Sequence, residues 1–497
     1  MRVRVPLCPI VFLILGVVVL LQLFCLPGQY IGKEGDGVFY VLASRSLLSG
    51  GYTLGISPGD PPLTFLTPGW PALLLPAAAI SGDSAGGYHL WSWLWLALAD
   101  VLLWMWLRRR MGGAAALAAT ALFGLNPLVL SRAGAVLSEI PCLALSLLLL
   151  NLLDREKGLA GWKSGLFLGF SWLVRPAVLP LFPAVWGYYL WRGRRRDAVL
   201  SALCSLAPIA VWLVWVSAVG GKVSEAEELS STLLRGGLSV LPGVGFHNAL
   251  GALRLWGETM LPWPPSASPS PAALVLGAGL FAAASAGVVI EWRRSGYETA
   301  GLYLLLAVAM HAIWPWWFER YLPPLLPFLI WGLWSVLRRA LRSERAAVCV
   351  LAVLAVVPVP GQGFELMRRA AARQRPEFAS TYRWIKENTE PGALFTSALY
   401  HRDAYYTGRP FVPLPDLGAP GVRGAKGAAE VLRSSSVRYV LWYGVPELGS
   451  SLGAGFHWSR SLRGLASDVR GPRFRELRSF PEEGSAVYEV LRSSAPM

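Results

Sequence analysis

Two carboxylates and a few cations stand where chemistry is plausible. Asp36 lies between Gly35 and Gly37, about ten residues after an apolar run at Leu7–Leu26, and just before a helical pattern through Phe39, Tyr40, Ala43, Leu47 and Leu48. A carboxylate in that position can deprotonate a hydroxyl or hold a divalent metal; it can equally cap the helix. Glu139, in Ser138-Glu139-Ile140-Pro141, opens another apolar run. At membrane depth an acid is costly and tends to be functional, whereas in the interface its cost is small. Arg175 precedes Pro176 inside a proline-broken apolar stretch. Its guanidinium can grip a phosphate with two parallel hydrogen bonds or snorkel to water. Arg320 offers the same choice within Trp316-Trp317-Phe318-Glu319-Arg320-Tyr321, where Glu319 is a ready ion-pair partner. Lys33 is a further phosphate partner or an exposed loop lysine. Glu34 and Tyr40 flank Asp36 as acceptor-binding or structural support. Asp36 and Glu139 are also the candidate metal ligands.

Other chemistries lack their residues. The sequence holds no Walker loop, no glycine-rich dinucleotide fingerprint, no His-Glu-x-x-His and no Gly-x-Ser-x-Gly. Its five cysteines all lie in apolar runs and form no Cys-x-x-Cys pair, and its five histidines are scattered, so no zinc spacing exists.

The elements that must position these residues are membrane helices. Of the 497 residues, 54% are hydrophobic and 15% charged, with a mean hydropathy of +0.46. That apolar excess is too large for ordinary soluble cores. A helix needs roughly 20 apolar residues to cross a bilayer core of about 30 Å. Leu7–Leu26, behind a basic start and without a small-residue cleavage site, reads as an uncleaved first span. Further spans are Gly87–Leu107, Ala114–Leu130, Ile140–Leu153, Asp197–Val219, Ala272–Ile290, Ala300–Ile313, Tyr321–Leu337 and Ala346–Val359.

The stretch between Lys163 and Arg192 is long for one span and short for two. Basic residues flank it on both sides: Arg155, Lys157 and Lys163, then Arg192, Arg194, Arg195 and Arg196. Positive-inside bias puts both flanks in the cytoplasm, so two short helices meeting near Arg175 are expected, for about eleven spans in all. Arg108–Arg110, Arg293-Arg294 and the arginines from Arg338 to Arg345 fall on the same side, while the opposite loops hold isolated basic residues such as Arg132, Arg175 and Arg320 and no such runs. Much of the net charge of +15 is therefore a topology signal, which argues against nucleic acid as a partner. The N-terminus is expected in the cytoplasm and the C-terminal region outside the cell membrane.

Outside the membrane, a first outer loop runs over residues 27–86, with an interfacial helix at Ala72–Ile80, and a second over about 220–271. Residues 1–360 form the transmembrane module. Residues 361–497 turn to strand-length apolar runs and predict an extracytoplasmic α/β domain: a helix at Pro376–Asn388, strands at Ala393–Ala398 and Val437–Tyr443, and a hairpin of Phe474–Phe480 with Ser485–Leu491 around Glu482-Glu483-Gly484.

In order along the chain, several patterns together resemble the GT-C superfamily of integral-membrane glycosyltransferases, in particular its protein O-mannosyltransferase and lipid A aminoarabinose transferase branches. They are Asp36-x-x-x-Tyr40-x-x-Ala43 with Leu47-Leu48-x-Gly50, Pro61-Pro62-Leu63, Pro71-Ala72-Leu73-Leu74, Ser138-Glu139, Gly169 with Arg175-Pro176, Arg320-Tyr321-x-x-Pro324-x-x-Pro327, and Thr407-Gly408-Arg409. The resemblance implies transfer of a sugar from a polyprenyl-phosphate carrier to an acceptor at the outer face. Asp36 would then be the base or a metal-assisted acceptor-binding group, Glu139 would orient acceptor or metal, and Arg175 with Arg320 or Lys33 would face the phosphate. Two departures narrow it. Gly37 follows Asp36 where protein mannosyltransferases carry an Asp-Glu pair, and the Trp-Trp-Asp signature of oligosaccharyltransferases is missing. The competing reading is a transporter or flippase of a lipid-linked saccharide, which would use the same groove without chemistry.

Overall fold

The computed structural model describes residues 9–28, 30–32, 36–57, 59–82, 84–155, 158–221, 237–263, 270–314, 319–372, 376–414, 432, 435–443 and 472–491. Its contacts divide the chain into two compact units. One comprises Met1–Gly28 and Thr64–Ala372, the other Gln29–Leu63 and Arg373–Met497.

The first unit is helical, and a helix lies in each apolar run named above. Among the described residues, four helices are long and apolar enough to cross a membrane: Ala85–Met111, Arg195–Ala218, Pro271–Ser295 and Glu344–Ala371. The stretch around Arg175 divides as its prolines dictate. A helix Gly161–Val174 stops at Arg175, whose backbone is extended (φ −158°, ψ 117°), then a single 3₁₀ turn Pro176–Val178 leads to a second helix, Leu181–Trp191. The ring of Pro176 disfavours helical backbone at the preceding residue, so Arg175 is turned out of the helix.

Small residues let these helices approach. A Cβ added at Gly161, Gly165 or Gly169 would collide with the backbone of Asp197, Ser201 or Ser205 on the Arg195–Ala218 helix. Both series recur every fourth residue, so one glycine stripe faces one small-residue stripe along the shared seam. Ser164 Oγ donates to Ser201 Oγ across it (3.0 Å). Gly69, in the short helix Gly69–Leu73, meets the backbone of Leu173 and Val174 in the same way, next to Arg175. Deeper in the bundle, Gln22 Nε2 donates to Asp100 Oδ2 (2.7 Å) and to the Gly124 carbonyl (3.2 Å), joining three helices through buried polar atoms. The expected interfacial segment is the Gly69–Leu73 helix followed by Leu75–Ser81. A helix at Leu241–Glu258 occupies part of the stretch expected as the second outer loop.

The second unit holds a five-stranded sheet of order β2-β1-β3-β5-β4, with β1 Phe395–Ser397, β2 Phe411–Pro413, β3 Tyr439–Tyr443, β4 Phe474–Phe480 and β5 Ser485–Val490. β1 runs parallel to β2 and β3, in register Phe395 with Phe411 and Tyr439; β5 is antiparallel to β3 and β4. The β4–β5 hairpin turns at Gly484, as its sequence implies. The helix Ala379–Asn388 is held at both ends. At its N-terminus the backbone N–H groups of Ser380 and Thr381 donate to Glu483 (2.8 and 3.0 Å), and the Thr381 hydroxyl adds a third bond (2.6 Å). At its C-terminus Arg409 donates to the carbonyls of Lys386 (2.7 Å) and Thr389 (2.9 Å). An acid at the first turn and a guanidinium at the last both suit the helix dipole. Burial raises the Glu483 pKa, but the bonds from Thr381 and Ser380 outweigh it and hold the carboxyl below its ordinary value.

Candidate functional site

Glu139 is the first residue of the helix Glu139–Leu153, a place where the dipole favours an acid. Its side chain is 5% exposed, and Oε1 contacts two guanidiniums, Arg175 Nη1 at 3.2 Å and Arg320 Nε at 3.3 Å. The two arginines are themselves only 13% and 19% exposed. Ser138 is the residue before this helix, yet its hydroxyl makes no cap. It accepts instead from Arg175 Nη1 at 2.9 Å. Both guanidiniums lie over the Tyr321 ring, 5.8 and 6.0 Å from its centroid, a cation–π arrangement. Tyr321 packs on the His311 ring (4.9 Å).

Three of the residues singled out in the sequence are therefore brought together. The proline break turns Arg175 toward the start of the Glu139 helix, and the 3₁₀ turn Glu319–Tyr321 delivers Arg320. Glu319 ion-pairs with Arg132 (3.8 Å), while Arg320 turns to Glu139. Arg132, Ser138 and Tyr321 are the members that local sequence reasoning assigned no role; each acts on residues far away in the chain.

Charge decides what this cluster can hold. One carboxylate faces two guanidiniums in a largely buried place, and paired guanidiniums suit phosphate geometry. Both Glu139 carboxylate oxygens are buried and have no hydrogen bond of regular geometry among the described residues. A divalent cation there would face the same two guanidiniums. Among the described residues no three His, Cys, Asp or Glu side chains gather as a metal site.

Asp36 and Tyr40 belong to the other unit. Asp36 is the half-buried first residue of the helix Asp36–Leu48, and Tyr40, one turn on, is buried. The expectations for Lys33 and Glu34 fall outside the described residues, as does the Trp316–Phe318 part of the aromatic belt.

No family model matches the sequence, and no curated protein matches it. Solved structures do. ArnT from Cupriavidus metallidurans in the apo state aligns with TM-score 0.60 at 13% identity, over 98% of this chain and 99% of that one. The same protein bound to undecaprenyl phosphate aligns with TM-score 0.58 at 13% identity over the same shares. The chain has the GT-C fold. An oligosaccharyltransferase from Archaeoglobus fulgidus, tethered to an acceptor peptide, aligns with TM-score 0.52 at 14% identity, over 87% of this chain and 69% of that one. The same enzyme in complex with Zn and sulfate aligns with TM-score 0.51. The chain is thus mostly helical, with apolar helices fit to cross a membrane and a small terminal sheet, as the sequence resemblance implied.

Proposed function

We propose that the protein is a membrane glycosyltransferase that moves a sugar from a polyprenyl phosphate to an acceptor at the outer membrane face. The observation that carries this reading is the buried Arg175–Glu139–Arg320 group at a broken helix, on a fold shared with a protein crystallised with undecaprenyl phosphate.

The chemistry asks little of the chain. Polyprenyl phosphate is a good leaving group, so a strong general acid is not needed. Asp36 accepts the proton of the acceptor hydroxyl as its oxygen bonds to the anomeric carbon of the sugar. The bond from that carbon to the phosphate oxygen breaks, and the electron pair leaves on the phosphate. Arg175 and Arg320 meet the charge that develops there, which is where preorganised cations contribute most. Glu139 keeps the guanidiniums paired between turnovers and helps to orient the acceptor. Lys33 is a further cation for the phosphate, and Glu34 and Tyr40 support the acceptor side. In this reading the chain makes about eleven spans, with the N-terminus in the cytoplasm and the terminal sheet outside. Residues 1–360 form the membrane module in this reading, and residues 361–497 the outer domain.

The test is turnover of a panel of polyprenyl-phosphate sugars by the purified protein in lipid discs. Release of polyprenyl phosphate from one donor supports the reading. Donor binding without release from any member, together with donor movement between leaflets, would favour the flippase.

A further inference from the structure

We propose that the C-terminal segment serves as the mount of Asp36, acting through the helix Tyr400–Thr407; this rests on Asp36 being the base of the proposed transfer. Residues Gln29–Leu63 fall in the same compact unit as the chain after Arg373, and several of the contacts that join them come from this one helix. Tyr406 is the hub. Its hydroxyl accepts from the Ile31 N–H (2.6 Å) and donates to the Ile31 carbonyl (2.9 Å), so one side chain satisfies both backbone groups of one residue. Its ring stacks on Tyr30 (6.3 Å) and on Tyr382 (5.3 Å).

His401, on the same helix, stacks on Phe39 with ring centroids 3.9 Å apart and planes 19° from parallel. Phe39 lies three residues after Asp36, one turn along the same helix, so its ring contact fixes the rotation of the turn that carries the carboxylate. Arg45, near the far end of that helix, lies over the Tyr405 ring (4.8 Å). Beyond it, the Phe411 N–H donates to the Ile56 carbonyl (2.9 Å), which ties the segment to the start of β2. At Gly32, whose φ is +104°, a Cβ would strike Val38 and come into ordinary contact with the Arg402 side chain.

The Tyr400–Thr407 helix is itself rigidly seated. Asp403 is fully buried and accepts from Tyr382 (2.8 Å), Tyr443 (2.6 Å) and the Ser397 hydroxyl, reaching β1, β3 and the Ala379–Asn388 helix at once. Arg402 beside it donates to the Tyr30 hydroxyl (3.4 Å) and lies over the Phe378 ring (4.7 Å). Gly408, at φ +64°, closes the helix in the left-handed conformation. A continuous path of packed and hydrogen-bonded groups thus runs from the sheet to Asp36. Tyr406 and His401 are positioning residues on it.

The test uses the full-length protein in lipid discs, with Tyr406→Phe, His401→Leu and, as a control, Arg475→Ala at an exposed pair with Glu489 on the hairpin. Two readouts are taken: backbone hydrogen exchange over residues 36–48, and kcat against KM for donor and acceptor. Each mount variant should speed exchange over 36–48 and lower kcat about 5- to 50-fold with the donor KM unchanged; the control should do neither. Unchanged exchange over 36–48 in both mount variants would overturn the proposal. So would faster exchange with unchanged kcat, or a raised acceptor KM at unchanged kcat, which would mark an acceptor-docking domain. A wild-type protein that turns over no donor would defeat the transferase reading, and the exchange data would still decide whether the helix is mounted.

Discussion

Replacing Arg175 by glutamine removes one of the two guanidiniums on Glu139 and also the bond to Ser138, while leaving a side chain of similar length. If Arg175 grips the donor phosphate, a charge-assisted hydrogen bond worth about 1.5–3 kcal/mol is lost. Since about 1.4 kcal/mol is tenfold in affinity, the Kd for undecaprenyl phosphate should rise about 10- to 150-fold. Glu139 keeps Arg320, so the folded state should lose only about 1–3 kcal/mol, less than a fully broken buried pair costs. Glu139→Gln supplies the opposite sign. The contacts to one oxygen at 3.2 and 3.3 Å bound the separation of the two arginine nitrogens at about 6.5 Å. Without the carboxylate their repulsion is about 2.5 kcal/mol at an effective dielectric of about 20. An arriving phosphate relieves that repulsion, so Glu139→Gln should bind it more tightly while becoming less stable without it. The assay is titration of undecaprenyl phosphate into each variant in lipid discs, below its melting midpoint. Equal Kd values for wild type and both variants would show that the cluster is only a structural ion pair.

Three further outcomes follow from named contacts. Asp36→Asn should abolish sugar transfer by at least about a thousandfold, at the upper end of the 10²–10⁴ range for a general base, with donor binding retained in a titration. Gly69→Ala pushes on the backbone of Leu173 and Val174 just before Arg175; it should weaken undecaprenyl phosphate binding roughly tenfold through an overpacking cost of about 1–3 kcal/mol, whereas Gly82→Ala, where a Cβ meets nothing but φ is positive, should cost stability and leave that affinity alone. Glu483→Gln should destabilise the terminal domain by roughly 0.5–1 kcal/mol at pH 7. Because its folded pKa is depressed, that contribution is present above the unfolded value of about 4.3 and is lost as pH falls through the folded pKa, so melting curves of variant and wild type should converge below about pH 4.

What the sequence discloses and what it hides divide along one physical line. Apolar runs, the Arg175-Pro176 break and the Glu482-Glu483-Gly484 turn are set by neighbours in the chain, and helices or strands stand where those signals fall. The glycine stripe Gly161, Gly165, Gly169 carries its own spacing, but what it packs against, Asp197, Ser201 and Ser205, is fixed by tertiary contact. The grouping of Glu139, Arg175 and Arg320 has no local signature, since three separate helix ends must converge to form it. The helix Leu241–Glu258, with its glycines, His247 and Asn248, reads as loop in composition; Asn248 Nδ2 donating to the carbonyls of His311 (3.0 Å) and Trp314 (2.8 Å) shows what anchors it. Tyr406 and His401 likewise look like ordinary polar helix residues until Ile31 and Phe39 are found against them.

The most direct measurement is donor turnover and donor binding by wild type and Asp36→Asn, side by side in lipid discs, with the polyprenyl-phosphate sugar the panel selects. The account predicts release of polyprenyl phosphate by wild type, none by Asp36→Asn, and the same donor Kd for both. Equal turnover by the two proteins would contradict it.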